Sequence, residues 1–212
     1  EKKSLSPFLD VLERLLAVGA RAPRVLERDV EHGYLILEDF GSTHYLDLLN
    51  ATNFKSLYVN AMDEILKMQN ADASRLPLYE KDFLLFEMNL MEEWYIKGLL
   101  EKTLTNAQNA ILTETLKSIA DMVLSQPQGL FVHRDFHSRN IMLTKHGEIG
   151  IIDFQDAMSG ALTYDLVSLL KDCYIAFEPR EIEELALTFR DKKGINASDA
   201  EFLKWFDFMG MQ

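Results

Sequence analysis

One cysteine, Cys173, stands in 212 residues, so no disulfide can form within the chain. A reducing cytoplasm fits that shortage. Cys173 falls in an apolar stretch read as a helix face, where it is expected to be a small core residue and not a nucleophile. Long apolar runs are also missing: none approaches the ~18 residues of a membrane-spanning helix. No basic-then-apolar leader is visible, so nothing marks the chain for export. Positive charge is short as well. Against 34 Asp and Glu there are 22 Lys and Arg, a formal net charge of -12. Such a surface repels nucleic acid and anionic membranes, and neither is expected as a partner. The charge is compatible with a cationic small molecule, and speaks first to plain solubility.

What is present is ordinary for a folded domain: 48% hydrophobic and 26% charged residues. The length allows one domain, or one large and one small lobe. Leu5, Phe8, Leu9, Leu12, Leu15 and Leu16 predict an amphipathic helix over 5–18. Two strands are expected next, Arg24 to Asp29 and Tyr34 to Leu37, turning at Glu31-His32-Gly33. The unbroken run Tyr34-Leu35-Ile36-Leu37 predicts a strand buried on both faces. Further on the chain reads as mostly helical. Thr52 is a candidate cap for a helix bearing Phe54, Leu57, Tyr58, Ala61, Met62, Ile65 and Leu66. A second helix is expected from Asp82 towards Leu100, and a third over Asn106 to Leu124, closed by Ser125-Gln126-Pro127. Ile141 to Thr144 and Glu148 to Asp153 predict a hairpin turning at Lys145-His146-Gly147. Helices are expected again over Thr163 to Phe177, Arg180 to Arg190, and from Ser198, where Ser198-Asp199-Ala200-Glu201 forms a capping box. Both ends read as cut: there is no Met before Glu1-Lys2-Lys3 and no C-cap at Met209-Gly210-Met211-Gln212.

The chemistry concentrates in Phe131-Val132-His133-Arg134-Asp135-Phe136-His137-Ser138-Arg139-Asn140, with Ile151-Ile152-Asp153-Phe154-Gln155-Asp156 following. Asn140 comes five residues after Asp135, and Asp153 thirteen after Asn140. This set suits magnesium-dependent phosphoryl transfer from ATP to an alcohol. Asp135 is the candidate base. An amide oxygen on Asn140 and a carboxylate on Asp153 are candidate magnesium ligands, since magnesium prefers oxygen and shares its sites with nucleotide phosphates. His133 is expected to hydrogen-bond the loop backbone. His137 and Arg139 either touch phosphate or substrate, or are solvated. Asp165 opens a helix, where the dipole favours an acid; it also suits a brace for the catalytic loop. His44 and His146 read as surface loop positions. The phosphate-covering half of a kinase is not visible. No Gly-x-Gly-x-x-Gly occurs, no Lys sits in a Val-Ala-Ile-Lys-type strand, and Lys2 and Lys3 are poor substitutes.

On these motifs the chain resembles the aminoglycoside phosphotransferase and choline kinase superfamily. Within it, it is most similar to the bacterial anomeric kinases of N-acetylmuramate and N-acetylglucosamine. The resemblance rests on His133 to Asn140, where the antibiotic kinases usually carry His-Gly-Asp and a His-Pro-Gly-Asn type ending. It also rests on Asp153-Phe154-Gln155-Asp156-Ala157, Thr163 to Leu170, Ala22-Pro23-Arg24-Val25-Leu26 and Trp205-Phe206-Asp207. It implies an α+β, protein-kinase-like fold. Residues 1–37 would be the remnant of an N-terminal ATP-binding lobe, the last helix and two strands of it. Residues 38–41 would be a hinge, with Glu38, Asp39 and Phe40 at adenine. Residues 42–212 would be a mainly helical catalytic lobe with its β-hairpin. Asp10 and Glu13 are the nearest acids to the one that usually pairs with the ATP-binding Lys, but neither falls in register.

The expected function is an ATP- and Mg-dependent kinase, phosphorylating the anomeric hydroxyl of N-acetylmuramate and N-acetylglucosamine for cell-wall sugar recycling. Glu87, Trp94 and Tyr95 are either a sugar-binding wall or core aromatics and their neighbour. The rival of the same fold takes an aminoglycoside, choline or homoserine as acceptor. The rival of another class is a non-catalytic, pseudokinase-like binding module.

Overall fold

The computed structural model describes residues 5–212; Lys2 and Lys3 lie outside the described residues. Helix α1 (Ser6–Ala17) is followed by an antiparallel ribbon of β1 (Val25–Asp29) and β2 (Tyr34–Leu37). A single turn, α2 (Tyr45–Leu48), leads into α3 (Phe54–Met68). Helix α4 (Lys81–Leu90) runs on as a π-helical segment, Met91–Leu99, and α5 (Asn106–Leu124) returns. Four three-residue strands carry the motifs: β3 (Leu130–Val132), β4 (Ile141–Leu143), β5 (Ile149–Ile151) and β6 (Met158–Gly160). Three helices close the chain, α6 (Tyr164–Leu170), α7 (Pro179–Lys193) and α8 (Asp199–Met209).

The short strands fix the motif loops. β4 and β5 pair antiparallel, Ile141 opposite Ile151 and Leu143 opposite Ile149. β3 pairs with β6, Leu130 opposite Gly160 and Val132 opposite Met158. Loop 133–140 runs from β3 into β4 and loop 152–157 from β5 into β6, so both loops span the same two strand pairs. One large cluster of buried side chains supports them. It contains Leu12 and Leu15 of α1, Tyr58, Met62 and Ile65 of α3, Phe131, Phe136 and Phe154 around the loops, and Phe189, Phe202 and Phe206 of α7 and α8. Phe8 of α1 packs its ring 4.9 Å from that of Phe154. A second cluster joins Leu84 and Met88 of α4 to Leu116 and Val123 of α5, and to Met158 and Met209.

Several expectations need correction. Strand β2 is not buried on both faces: Tyr34 is 70% and Ile36 54% exposed. Among the described residues the ribbon has two strands only, and its outer face is uncovered. Thr52 does not cap α3. Its amide and hydroxyl both donate to the Asn50 side chain, and the helix starts after Asn53. The helix expected towards Leu100 changes register at Met91, where Leu100 N bonds back five residues to Tyr95 O at 2.9 Å. The wider turns break the apolar stripe, and Trp94 is exposed; Phe86, still on α4, is exposed as well. The helix expected over Thr163 to Phe177 stops at Leu170. Asp172 ends it, because its buried carboxylate accepts from Ser138 N and Tyr174 N, both at 2.9 Å. Cys173 therefore sits exposed in a turn, not on a core face.

Candidate active site

The catalytic loop is held mainly through its backbone. His133 N and Arg134 N donate to the two carboxylate oxygens of Asp165, at 2.9 and 3.1 Å. Asp165 lies in the first turn of α6, so helix-dipole acid and loop brace are here the same residue. It is buried, and burial pushes its carboxyl up to about 7 against the opposing pull of the two amides. The fully buried His133 ring donates from Nε2 to the Ile152 carbonyl at 3.0 Å. That carbonyl can only accept, which assigns the proton to Nε2. Burial lowers the imidazole to about 4, so the ring is neutral. Ser138 N is fixed by Asp172, and the Arg134 carbonyl accepts from Ser168 Oγ at 3.1 Å.

These supports bring Asp135, Asn140 and Asp153 to one cleft of about 450 Å³, together with His44, His137, Arg139, Ile152 and Tyr174. The Asp135 side chain is exposed to the cleft, while its carbonyl accepts from His137 N at 2.9 Å and Asn140 Nδ2 at 3.0 Å. With Nδ2 so engaged, the Asn140 Oδ1 is left as the oxygen donor. Asn140 Nδ2 also lies 3.4 Å from Asp153 Oδ2, and Gln155 Nε2 donates to Asp153 Oδ1 at 2.8 Å. Asp153 stands two residues past β5 and not at its end, with φ +65°; Arg134 has φ +79°. An amide oxygen and a carboxylate fit magnesium, which keeps much of its shell for water and phosphate oxygens.

Two cleft residues escape sequence reasoning. His44 was expected on a surface loop. Its Nδ1 donates to the Arg139 carbonyl at 2.7 Å, and its backbone bridges to Met142 of β4. Tyr174 places its ring 5.3 Å from that of His137 and 4.8 Å from the Arg139 guanidinium. Neither belongs to a motif, and both arrive through contacts distant in sequence. His146 is exposed in the hairpin turn.

At the expected hinge, the Glu38 carboxylate takes the Arg21 guanidinium at 2.6 and 2.9 Å and Arg24 Nε at 3.2 Å. The Arg21 hydrogen bonds hold its carboxyl down at about 2. Asp39 turns the chain by accepting Gly41 N at 2.8 Å. Phe40 is buried, with the Arg21 guanidinium 4.8 Å from its ring, and it packs on Gly150 of β5.

Trp94 and Tyr95 are not core aromatics. Trp94 is 72% exposed on the π-helical segment, and Tyr95 is also exposed. Glu87 is half-buried and pairs with Arg134 Nη2 at 2.7 Å. A larger cavity, about 740 Å³, opens on the other side of the motif loops. It is lined by Ser6, Pro7, Asp10 and Val11 of α1, by Arg75, Leu76 and Pro77, by Phe83, and by Arg134 and Gln155 to Met158. Glu13 is exposed and Asp10 pairs with Arg14 at 2.9 Å.

A model of the phosphotransferase enzyme family matches residues 1–198. The chain is 36% identical over 222 residues to an N-acetylmuramate/N-acetylglucosamine kinase of Neisseria meningitidis serogroup B, covering all of this chain and 65% of that protein. It is 36% identical to the protein so named in Pseudomonas aeruginosa, over 97% of this chain and 62% of that one. The chain thus spans less than two thirds of these curated relatives. Among solved structures it superposes on aminoglycoside phosphotransferase APH(3'')-Id of Streptomyces rimosus, in complex with ADP and streptomycin. The TM-score is 0.62 and the identity 15%, over 98% of this chain and 82% of that one. A choline/ethanolamine kinase family protein of Mesorhizobium loti gives TM-score 0.62 at 18% identity, over 98% and 66%. These likenesses show the fold, which is protein-kinase-like as expected.

Proposed function

We propose, from the premise that this chain belongs to the phosphotransferase enzyme family, that it carries the catalytic lobe of an ATP- and magnesium-dependent sugar kinase. The acceptor is the anomeric hydroxyl of N-acetylmuramate, and of N-acetylglucosamine, and the product is the sugar 1-phosphate. The observation that carries this reading is the meeting of Asp135, Asn140 and Asp153 in one cleft, in a chain whose relatives bear that kinase name. Residues 1–37 are the edge of an ATP-binding lobe, 38–41 the hinge with Glu38, Asp39 and Phe40 at adenine, and 42–212 the catalytic and acceptor lobe. The protein works in the cytoplasm, on a small-molecule substrate. No helix of the described residues is long and apolar enough to cross a membrane.

The acceptor hydroxyl oxygen forms a bond to the γ-phosphorus as the bond to the β–γ bridging oxygen breaks. Asp135 takes the hydroxyl proton, and ADP leaves. Asn140 Oδ1 and the Asp153 carboxylate would hold magnesium, which supplies charge neutralisation on the phosphates. Gln155 orients Asp153 for that task, and the Asp135 carbonyl orients Asn140. His137 and Arg139 sit on the same cleft and favour phosphate there.

The test is ATP-dependent phosphorylation by the full-length protein, offered N-acetylmuramate, N-acetylglucosamine, kanamycin, choline and homoserine separately. Turnover of the two amino sugars is expected. Turnover of kanamycin, choline or homoserine alone would overturn the acceptor assignment, and turnover of none would favour a binding module.

A further inference from the structure

We infer that Glu87 of α4 is a positioning residue, acting through Arg134 on the neighbouring base Asp135. The inference rests on the kinase reading above. Arg134 is held through its backbone and through one end of its guanidinium. Its amide donates to Asp165, its carbonyl accepts from Ser168 Oγ, and its Nη2 pairs with Glu87 Oε1 at 2.7 Å. The Nε alone is buried with no partner among the described residues. Its guanidinium also lies 5.7 Å from the Phe83 ring, one turn before Glu87 on α4. The backbone of Arg134 adopts φ +79°, a left-handed conformation that glycine takes freely and a long side chain resists. An arginine that held only the turn would be a poor choice there. Its side chain therefore has work that a glycine cannot do, and the ion pair it makes is with Glu87.

Glu87 is itself braced. Its other oxygen accepts from Tyr79 OH and from Gln212 Nε2, the latter at 3.1 Å. Tyr79 is buried, and its amide donates to Ser159 of β6 at 2.9 Å. The carboxylate is thus anchored to the same strand pair that frames the catalytic loop. Asp135 has no side-chain hydrogen bond of its own to fix it among the described residues, so its position depends on the backbone that Arg134 sets. Pulling on that arginine moves the base; losing the pull lets residue 134 relax towards another φ.

The full-length protein tests this. Glu87→Gln keeps shape and removes charge. It is expected to lower kcat by about 10-fold or more, within the ~100-fold that a misplacement of an ångström costs. KM for ATP should hold, and Glu87→Asp should recover part of the loss. Arg134→Gly frees the backbone and should lose turnover similarly, with Glu87→Gln then adding less than about twofold. In an Asp135→Asn background Glu87→Gln should also change residual turnover by less than about twofold, since its effect runs through that base. Arg134→Lys keeps charge but loses the planar fork, and gives a second reading if Glu87→Gln does not fold. An unchanged kcat for Glu87→Gln in an active protein overturns the inference alone. So does an equal loss in the Asp135→Asn background, which marks a scaffold role, or a rise confined to acceptor KM, which marks direct contact. A wild-type protein without turnover overturns the kinase reading and this inference together.

Discussion

At the scale of the residue, the motif made part of the site readable and hid the rest. Asp135, Asn140 and Asp153 are separated by fixed spacings across one hairpin, and a hairpin is local enough for a sequence to specify. Asp135→Asn is expected to cut turnover by ~10²-fold or more while nucleotide affinity, measured by titration calorimetry, stays the same. His44 and Tyr174 reach the same cleft by bonds that span 95 residues in one case and a turn set by Asp172 in the other. No periodicity encodes such contacts. The buried pair beneath the loop gives a pH signature. His133 falls to about 4 when folded, from an ordinary 6.5. Between those values the unfolded chain binds the proton and the folded one does not, so this contribution is lost as pH falls from 6.5 to 4. Asp165 rises to about 7 from 3.8, so its contribution has the opposite slope and is lost as pH rises across that interval. The two oppose one another in the intact protein. In Asp165→Asn the midpoint of thermal unfolding should fall on acidification from pH 6.5 to 4; in His133→Asn it should fall as pH rises from 4 to 7. Slopes that match the parent in both variants would contradict this.

At the scale of the element, an end is readable where its cap is local in sequence. The start of α5 was legible because Thr105 and Gln108 cap each other locally, and so was that of α8 at Ser198. The end of α6 was not, because Asp172 closes it by reaching Ser138 in a loop 34 residues earlier. The register change at Met91 had no local sign such as a proline. Residue spacing found the β4–β5 hairpin and missed what rests on it. A Cβ at Gly150 would come within 2.5 Å of Phe40 Cε2 and 3.0 Å of its Cγ. Gly150→Ala must therefore push the Phe40 ring aside. We expect a loss of about 1–3 kcal/mol from overpacking, read by chemical denaturation, together with weaker nucleotide binding. Adding Phe40→Leu should restore part of the stability; no recovery would mean that the strain lies elsewhere.

At the scale of the molecule, the fold class was legible because the two motifs recur in a protein-kinase-like order, strand, loop, hairpin, loop. Helix α1 contributes Val11, Leu12 and Leu15 to the same core as α3 and the motif loops, so its packing does not set it apart. Burial predicts where the protein opens first. The Met91–Leu99 segment contains no buried residue, whereas β3, β4 and β5 are largely buried. Amide hydrogens of 91–99 should exchange well before those of 130–132, 141–143 and 149–151, by mass-spectrometric hydrogen exchange. Simultaneous exchange of both regions would refute that ordering. The bond from His133 to the Ile152 carbonyl has one more consequence. It joins the loop that carries the proposed base to the loop that carries the proposed metal carboxylate, through an imidazole that is itself fully buried. The gauge of the reacting gap is thus set from the buried side. The wall facing an acceptor is free to drift in composition without altering the distance across which a phosphoryl group must pass.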